Sequence, residues 1–353
     1  MEERKSLIGR LGPLFKFRKR VRTSGGHHSR GPLSHVILMD GTLSSLKPGL
    51  ETNAGLAYKL CSEEAQAANM LVRYEAGIQW LDWRDTRDVI EGRGINQQIR
   101  RVYGALASRY RPGDKIYLFG YSRGAYAVRS LSGFIDMIGL LRAEEATERN
   151  IRDAYRHYQI APHARAAQAF KKTHCHDKVE IEFLGVWDTV AALGLHMPLV
   201  WRYSSVFHEF HNQEPARCVK AVYHALAYHE RRRAYAPVLF DSPDAPPVFN
   251  GRKQVLQQMW FPGTHGDVGG QLSGYNPERR LSNAALVWML DKAEQAGLEL
   301  PQGWRMRYLA DPHGPSIGLN RGWGKFFWLR DRRVVGQDPS EILHPALKSE
   351  IAP

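Results

Sequence analysis

Residues 115–129 read KIYLFGYSRGAYAVR. The first five positions are mostly apolar, as in a buried strand, and the residues from Gly124 onward have the pattern of a helix. The turn between them has the form G-x-S-x-G, with Ser122 at its centre. A turn this sharp strains the serine backbone and brings two stretches of chain together, so Gly120 and Gly124 are needed on either side. The pattern favours a nucleophilic Ser122 over a glycine-flanked turn serine with no chemical role.

Strands and helices alternate on both sides of this motif. The alternation predicts an α/β-hydrolase fold, with a mostly parallel sheet, helices on both faces and helical cap insertions near 141–175 and 189–217. We expect this domain to span 33–353 and to follow a basic, flexible N-terminal arm at 1–32. The predicted strands occupy 35–39, 69–74, 115–119, 179–186 and 255–261, and the predicted helices occupy 51–62, 95–110, 218–229 and 281–297.

A serine nucleophile needs a histidine base that is oriented by a carboxylate. In this fold the acid and then the histidine follow the serine along the chain, each at the end of a strand. Asp188 follows the predicted strand that ends at Trp187, and His265 follows the strand at 255–261. We therefore expect Asp188 and His265 to complete a catalytic triad with Ser122. The rival residues are Asp267, which could instead orient a loop, Asp177 and His344.

Acyl transfer also needs two backbone N–H donors for the developing oxyanion. The first is expected from Arg123, directly after the nucleophile, and the second from the loop after the first strand. That loop begins Asp40-Gly41-Thr42, so Gly41 and Thr42 are the candidate donors. Gly41 lets the backbone approach a substrate closely, and Asp40 could fix the loop through its own hydrogen bonds. A plain Asp-Gly turn is the alternative.

Two other chemistries have weaker support. Haloacid-dehalogenase-like phosphatases carry D-x-D-G-T with the first aspartate as nucleophile, and that position is Leu38 here. His174, Cys175 and His176 form a cluster, but no second Cys/His pair lies at zinc-ligand spacing. The cluster therefore favours a polar surface turn, and we expect neither a metal nor an organic cofactor.

Three blocks of the sequence resemble the signatures of one family. They are 120–129, 185–190 (Gly-Val-Trp-Asp-Thr-Val) and 260–270 (Trp-Phe-Pro-Gly-Thr-His-Gly-Asp-Val-Gly-Gly). The family is an α/β-hydrolase domain family of largely unknown function that includes the catalytic domains of type VI secretion phospholipase effectors. The resemblance covers roughly 35–350 and implies that Ser122, Asp188 and His265 hydrolyse acyl esters of phospholipids. An effector role would also imply an immunity protein as a partner.

The chain departs from the family pattern at two points. After the first strand the family often has Asp-Gly-Thr followed by a polar residue and Asn, whereas Leu43-Ser44-Ser45 stands here. The known effectors are also commonly longer, with additional membrane-facing segments. The resemblance therefore supports a hydrolase more strongly than a phospholipase.

The net charge of +13 is unevenly distributed. Residues 1–30 carry nine basic residues against two glutamates, a net charge of +7. No long apolar run follows, so the arm is not a Sec signal peptide, and the sparse cysteines fit a reducing cytosol. We expect a cytoplasmic protein, membrane-associated or exported without a Sec signal peptide. The arm could hold an anionic membrane surface, and the alternatives are a solvated tail and, less favoured, nucleic acid.

Two stretches are rich in aromatic residues: 193–210, which follows Asp188 where a lid or cap would lie, and 323–328, which lies among basic residues that include Arg333. Such rings suit a membrane interface, although core or cap packing is the commoner use of buried aromatics. The sequence as a whole predicts a serine hydrolase that cleaves a lipid or small ester through an acyl-serine intermediate, phospholipase-like in substrate. A small-molecule esterase and a non-catalytic, hydrolase-like binding module are the alternatives.

Overall fold

The computed structural model describes residues 31–77, 93–190, 213–275, 279–320 and 329–351. The contacts divide the chain into Met1–Gly31 and Pro32–Pro353, and every element below lies in the second unit. Residues 1–30 of the predicted basic arm, both aromatic-rich stretches and most of the predicted insertion at 189–217 lie outside the described residues. Within the described ranges, no helix has the length and apolar character needed to cross a bilayer.

A seven-stranded sheet forms the centre of the fold, and each neighbouring pair of its strands is parallel. Its strand order is β2-β1-β3-β4-β5-β8-β9, and a small antiparallel pair, β6–β7, lies apart from it. The strands are β1 Ser34–Met39, β2 Met70–Glu75, β3 Lys115–Tyr121, β4 Phe183–Trp187, β5 Ala221–Ala227, β6 Val248–Phe249, β7 Arg252–Lys253, β8 Val255–Phe261 and β9 Glu341–Leu343.

Helices cover both faces of the sheet, which completes the α/β-hydrolase fold. Alternate residues of β1 show the two faces: Val36 and Leu38 pack in one apolar cluster, and Ile37 and Met39 pack in the other. A central strand that is buried on both faces reads as a continuous apolar run, as β1 does. The helices are α1 Asn53–Glu64, α2 Arg93–Ala107, α3 Arg123–Ile138, α4 Glu148–Ile160, α5 Arg165–His174, α6 His265–Gly269, α7 Arg279–Gln295, α8 Trp304–Arg307 and α9 Pro345–Ile351.

The chain order reverses between β1 and β3. From β1 it moves outward to β2, returns to β3 on the other side of β1, and then continues through β4, β5 and β8. A crevice for ligands forms at such a reversal, beyond the carboxyl ends of the strands. The end of β1 and the end of β3 therefore face the same crevice.

The predicted insertion at 141–175 is helical, since it contains α4 and α5. Ile151 of α4 lies against Gly104 of α2, and the Tyr155 hydroxyl donates to Asn96 over 2.8 Å. Tyr158 packs on Phe134 of α3, with ring centroids 5.3 Å apart. These contacts place the insertion against the helical layer formed by α2 and α3.

The prediction of a helix at 218–229 is wrong, because these residues contain strand β5. The stretch is rich in alanine, which favours a helix in isolation. In the fold it lies between β4 and β8, and Ala225, Leu226 and Ala227 are fully buried. Small side chains fit a strand that is paired on both sides and buried in the sheet. This packing outweighs the helix propensity of the local sequence.

Candidate active site

Ser122 lies in the tight turn between β3 and α3, with φ 56° and ψ −121°. Few non-glycine residues adopt positive φ, and the strain persists only where the surroundings hold it. A Cβ on Gly120 would lie 2.6 Å from the Ala125 Cα, and a Cβ on Gly124 would lie 2.1 Å from the Met39 carbonyl oxygen. Both glycines are thus required, because backbone passes directly against each of them.

Three side chains from three strand ends form a hydrogen-bonded relay. The Ser122 Oγ lies 3.0 Å from the His265 Nε2, and the His265 Nδ1 lies 2.6 Å from the Asp188 Oδ2. Ser122 is 7% exposed, His265 3% and Asp188 0%. The structure thus brings together the serine, histidine and aspartate that the sequence singles out, in the order that acyl transfer requires.

Asp188 is held as an anion. Burial alone would raise its pKa, but the charge of Arg333 and the hydrogen bonds from His265 and Arg333 outweigh burial and hold the pKa well below its usual range. The Ala227 N–H also donates to the Asp188 Oδ1 over 3.0 Å. An ionised Asp188 can only accept at its Oδ2, so the Nδ1 of His265 carries a proton and the Nε2 is free to accept from Ser122.

The imidazole of His265 lies between two tyrosine rings. The Tyr121 ring stacks at 5.0 Å between centroids, and the Tyr235 ring stacks on it at 4.6 Å. The backbone N–H of His265 donates to the Glu230 Oε2 over 3.0 Å. Glu230 is fully buried and ion-paired with Arg232, whose guanidinium lies over the Tyr235 ring. These contacts fix the ring plane of the base.

The rival acid, Asp267, has a different set of partners. Its Oδ2 accepts from both the N–H and the hydroxyl of Thr264, at 2.7 and 2.8 Å, and from the Ser316 hydroxyl at 2.5 Å. Its Oδ1 accepts from the Ile317 N–H at 2.8 Å. Asp267 therefore caps α6 and holds a neighbouring loop, while Asp188 is the carboxylate on His265.

The other two rivals also lie elsewhere. Asp177 is exposed. The His344 Nδ1 accepts from the Ala346 N–H, and its ring packs against Phe261. Neither side chain forms part of the relay.

The oxyanion candidates differ in whether their N–H groups are available. The Gly41 N–H donates to the Asp40 Oδ1 over 2.6 Å. A Cβ on Gly41 would lie 2.7 Å from the Tyr121 ring, so Gly41 allows the loop to lie directly against the nucleophile strand. Within the described ranges, the backbone N–H groups of Thr42 and Arg123 have no hydrogen-bond partner. Among the candidates, the N–H groups of Thr42 and Arg123 thus meet the first requirement of an oxyanion donor, which is to have no other partner.

Asp40 holds this loop, as the sequence suggests. Its buried Oδ2 accepts from the Thr52 hydroxyl at 2.6 Å and from the Tyr74 hydroxyl at 2.7 Å. Burial raises the pKa of Asp40 to about 6, although hydrogen bonds from Thr52, Tyr74 and Gly41 oppose the rise. The carboxyl thus fixes the end of β1 at the cost of an unfavourable buried charge near neutral pH.

The His174-Cys175-His176 cluster divides among separate partners. The His174 Nδ1 lies 2.8 Å from the Glu145 Oε2, and the His176 ring packs edge-on against Tyr110. Cys175 is buried, which raises the pKa of its thiol to about 11. In the part of the chain that the structure describes, no three His, Cys, Asp or Glu side chains converge as metal ligands would.

The fold and this relay define a class of protein, an α/β-hydrolase-fold domain with the site geometry of serine acyl transfer. The family described as T6SS phospholipase effector, Tle1-like, catalytic domain matches residues 34–292. The chain belongs to this family of phospholipase-like catalytic domains.

Three further proteins are similar to the chain. The uncharacterized protein YEL023C of Saccharomyces cerevisiae is 26% identical over 261 residues, 64% of this chain and 36% of that protein. An uncharacterized protein from Pseudomonas aeruginosa is 17% identical with a TM-score of 0.39, over 79% of this chain and 49% of that one. The Tle1 effector bound to the VgrG spike of the type VI secretion system is 20% identical with a TM-score of 0.38, over 70% and 52%. The chain thus matches between about a third and a half of the length of these proteins.

Arg333, Glu230 and Tyr235 surround the relay but are absent from the residues that the sequence singles out for the site. Glu230 follows β5, and reading that stretch as a strand would place Glu230 at the carboxyl edge of the sheet with the other site residues. In the sequence Arg333 lies beside an aromatic stretch that would suit either a membrane interface or core packing, whereas in the structure its side chain is only 4% exposed and binds Asp188. The aromatic residues of that stretch lie outside the described residues.

Proposed function

We propose that this protein is a serine hydrolase that cleaves acyl esters through an acyl-serine intermediate, with phospholipids as its substrate class. The observation that carries the proposal is the relay from Ser122 through His265 to Asp188, with distances of 3.0 and 2.6 Å. Membership of the phospholipase effector family supports the lipid substrate.

The relay supplies a complete acylation step. The Ser122 Oγ attacks the ester carbonyl carbon while the His265 Nε2 takes the hydroxyl proton. The carbonyl electron pair moves to the oxygen, where the N–H groups of Arg123 and Thr42 can donate. The tetrahedral intermediate then collapses, the Nε2 proton passes to the leaving alkoxide, and the alcohol departs from an acylated Ser122.

Deacylation repeats the same sequence with water. His265 removes a proton from water, the resulting hydroxide attacks the acyl carbon, and the returning proton frees Ser122 as the fatty acid departs. Asp188 stays ionised throughout and stabilises the imidazolium that forms twice in each cycle. The Asp188 carboxylate and the stacked rings of Tyr121 and Tyr235 keep His265 in one orientation. Little conformational entropy of the histidine side chain is therefore lost when each transition state forms.

Labelling by a fluorophosphonate tests the nucleophile. We expect the probe to react with Ser122 in the wild-type protein and not in Ser122→Ala, because the His265 Nε2 lies 3.0 Å from the Ser122 Oγ and can activate it. Ser122→Ala should also lose on the order of 10³-fold or more in ester hydrolysis. Ser108→Ala, a change at an exposed serine, is the matched control and should label and hydrolyse as wild type does. Undiminished labelling of Ser122→Ala would mean that the nucleophile lies elsewhere.

The substrate class is tested by comparing two esters. Release of fatty acid from phospholipid vesicles, lost in Ser122→Ala, is the expected result. Hydrolysis of a short soluble ester without any release from vesicles would instead identify a small-molecule esterase. Absence of both hydrolysis and labelling would identify a hydrolase-like binding module. Secretion and an immunity protein stay predictions from the family resemblance.

A further inference from the structure

Both terminal nitrogens of the Arg333 guanidinium are engaged around the triad acid. Its Nη1 donates to the Asp188 Oδ1 at 2.5 Å and to the Ala227 carbonyl at 2.9 Å. Its Nη2 donates to the Asp188 Oδ2 at 2.9 Å and to the Tyr235 carbonyl at 2.5 Å. These four bonds and its burial leave Arg333 in no position to bind a substrate. Whatever Arg333 does for a reaction, it does through Asp188.

A backbone pairing holds Arg333 in this place. The Arg233 N–H donates to the Leu329 carbonyl at 3.0 Å, and the Asp331 N–H donates to the Arg231 carbonyl at 2.7 Å. The side chains of Arg233 and Asp331 form an ion pair across the same contact. Residues 329–333 therefore lie along 231–233, the segment that also carries Arg232. Residues 329–333 lie beyond 34–292, the part of the chain that matches the family, whereas 231–233 lie within it.

We propose that Arg333 is a positioning residue of the active site: it orients the Asp188 carboxylate toward His265 and offsets part of its negative charge. The inference rests on the proposed function, since it concerns the same relay. Two parallel N–H···O bonds from one planar guanidinium fix both oxygens of a carboxylate, which a single contact does not do. Arg333 thereby supports the relay, although it lies far along the sequence from the three motifs that carry Ser122, Asp188 and His265.

The offset charge has a consequence for pH dependence. The imidazolium of His265 is stabilised by the net negative charge that faces it, and Arg333 reduces that charge. Loss of Arg333 would leave the negative charge of the buried Asp188 without its cationic partner. The inactive form of the relay, in which His265 is an imidazolium, would then persist to higher pH. The acid limb of the kcat/KM profile should therefore move to higher pH.

The other titratable and charged groups that face the relay are present in both proteins. His265 also meets Tyr121, Tyr235 and the ion pair between Glu230 and Arg232. Asp188 lies near His224, whose pKa is lowered to about 3, by burial first and by the charge of Arg129, so His224 is neutral over the working range. Asp40, whose pKa burial raises to about 6, is present in both proteins. The difference between the two profiles thus reports Arg333.

The experiment measures kcat and KM for a short soluble ester against pH in the full-length protein. In Arg333→Met, we expect the acid limb to move up by about one pH unit. In Arg333→Lys, which keeps the charge but not the planar fork, the limb should stay near its wild-type position while kcat falls and KM does not change. Arg332→Met, at an exposed neighbouring residue, is the matched control and should change neither.

Two results would overturn the inference. One is a folded Arg333→Met protein whose activity falls without movement of the acid limb, since Arg333 would then only stabilise the fold. The other is an Arg333→Lys protein with wild-type kcat, which would remove the orienting role even if Arg333→Met does not fold. A wild-type protein that neither hydrolyses the ester nor reacts with the fluorophosphonate would refute the proposed function instead.

Discussion

Ser122 and Asp188 share an uncommon backbone conformation. Their φ angles are 56° and 41°, although neither is glycine. Each is tied to the next strand: the Ser122 N–H donates to the Trp187 carbonyl at 3.0 Å, and the Asp188 N–H donates to the Ala225 carbonyl at 2.7 Å. The energy stored in such turns persists only where the surroundings over-determine it, and it concentrates at functional sites. The sheet thus places both side chains at one edge and holds them under strain.

The two buried aspartates near His265 should respond differently to the same substitution. Asp188→Asn removes the charge that stabilises the imidazolium, and we expect kcat for a short ester to fall by about 10⁴-fold. Asp267→Asn weakens the cap of α6, and we expect a loss of about 1–2 kcal/mol in the free energy of unfolding with kcat within tenfold of wild type. Steady-state kinetics and urea denaturation of both proteins measure these effects.

The two aspartate variants can also contradict the assignment of the triad acid. His265→Ala should cost about as much as Ser122→Ala, because members of a triad act as a unit. If a folded Asp267→Asn protein lost more kcat than Asp188→Asn did, the acid of the triad would have to be Asp267. The 2.6 Å contact between Asp188 and His265 predicts the opposite.

Some residues of the candidate site can be predicted from the sequence, and others cannot. Ser122 lies in a motif with a steric reason for each glycine, and Asp188 and His265 follow strands in the required order, so each has a local signal. Arg333 reaches Asp188 across 145 positions of sequence, and nothing local to Arg333 indicates its partner. A contact between distant residues depends on the final packing of the chain, which neither periodicity nor spacing encodes.

At the scale of secondary-structure elements, Asp40 joins three of them. It ends β1, accepts from Thr52 at the N-cap of α1, and accepts from Tyr74 of β2. Thr52 in turn accepts from the Gly55 N–H at 3.0 Å, so its hydroxyl links the cap to the carboxyl. The loop that carries Thr42 is therefore anchored to the adjacent helix and strand through one buried acid.

This anchor should make stability depend on pH in a particular direction. Burial raises the pKa of Asp40 from 3.8 to about 6, so the folded protein holds a proton that the unfolded chain has already lost in that interval. The Asp40 contribution to stability is therefore greatest below about pH 4 and falls as pH rises through 6. The gap of roughly two pKa units corresponds to about 3 kcal/mol in the free energy of unfolding.

Asp40→Asn isolates this contribution, because asparagine has no charge to lose. The free energy of unfolding of the variant minus that of wild type should rise by about 2 kcal/mol between pH 4 and pH 7. Urea denaturation at several pH values measures the difference, and other titrating groups cancel in it. A difference that is the same at every pH would show that Asp40 is not held with a raised pKa.

The sequence predicts a helix where the structure has strand β5, and the same error hides two residues of the active site. The sequence Ala-Val-Tyr-His-Ala-Leu-Ala at 221–227 suits a helix by composition, and only its position between β4 and β8 makes it a strand. Because the residues after it were not expected at a strand end, Glu230 and Tyr235 had no predicted role. Elsewhere the alternation of strands and helices was strong enough to give the α/β-hydrolase fold, since long apolar runs and amphipathic helices carry clear periods.

At the scale of the whole molecule, charge is the unexplained feature. Residues 1–30 carry a net charge of +7 out of +13 for the chain, whereas the catalytic relay needs only buried groups. The chemistry of this basic segment fits an anionic surface, and the proposed phospholipid substrate is found at such surfaces. Recruitment to the substrate would then be separate from catalysis.

The arm should therefore bind vesicles without affecting chemistry. Each basic side chain near an anionic membrane contributes about 1 kcal/mol, and salt screens the attraction. Replacement of Lys16, Arg18, Lys19, Arg20 and Arg22 by glutamine lowers the net charge of the arm from +7 to +2. In co-sedimentation, the wild-type protein should bind vesicles that contain phosphatidylserine and not neutral vesicles, and binding should weaken in high salt and in this variant.

Two controls separate recruitment from other effects. Hydrolysis of a short soluble ester should be equal in wild type and the arm variant, since the relay is untouched. Glutamine at five exposed basic positions of the hydrolase domain removes the same charge from elsewhere and should leave vesicle binding intact; these positions are Arg149, Lys178, Arg252, Lys253 and Arg332. Equal losses in both variants would mean that total charge, not the arm, drives binding. Binding to DNA without binding to vesicles would assign the arm to nucleic acid, because phosphate backbones attract the same side chains.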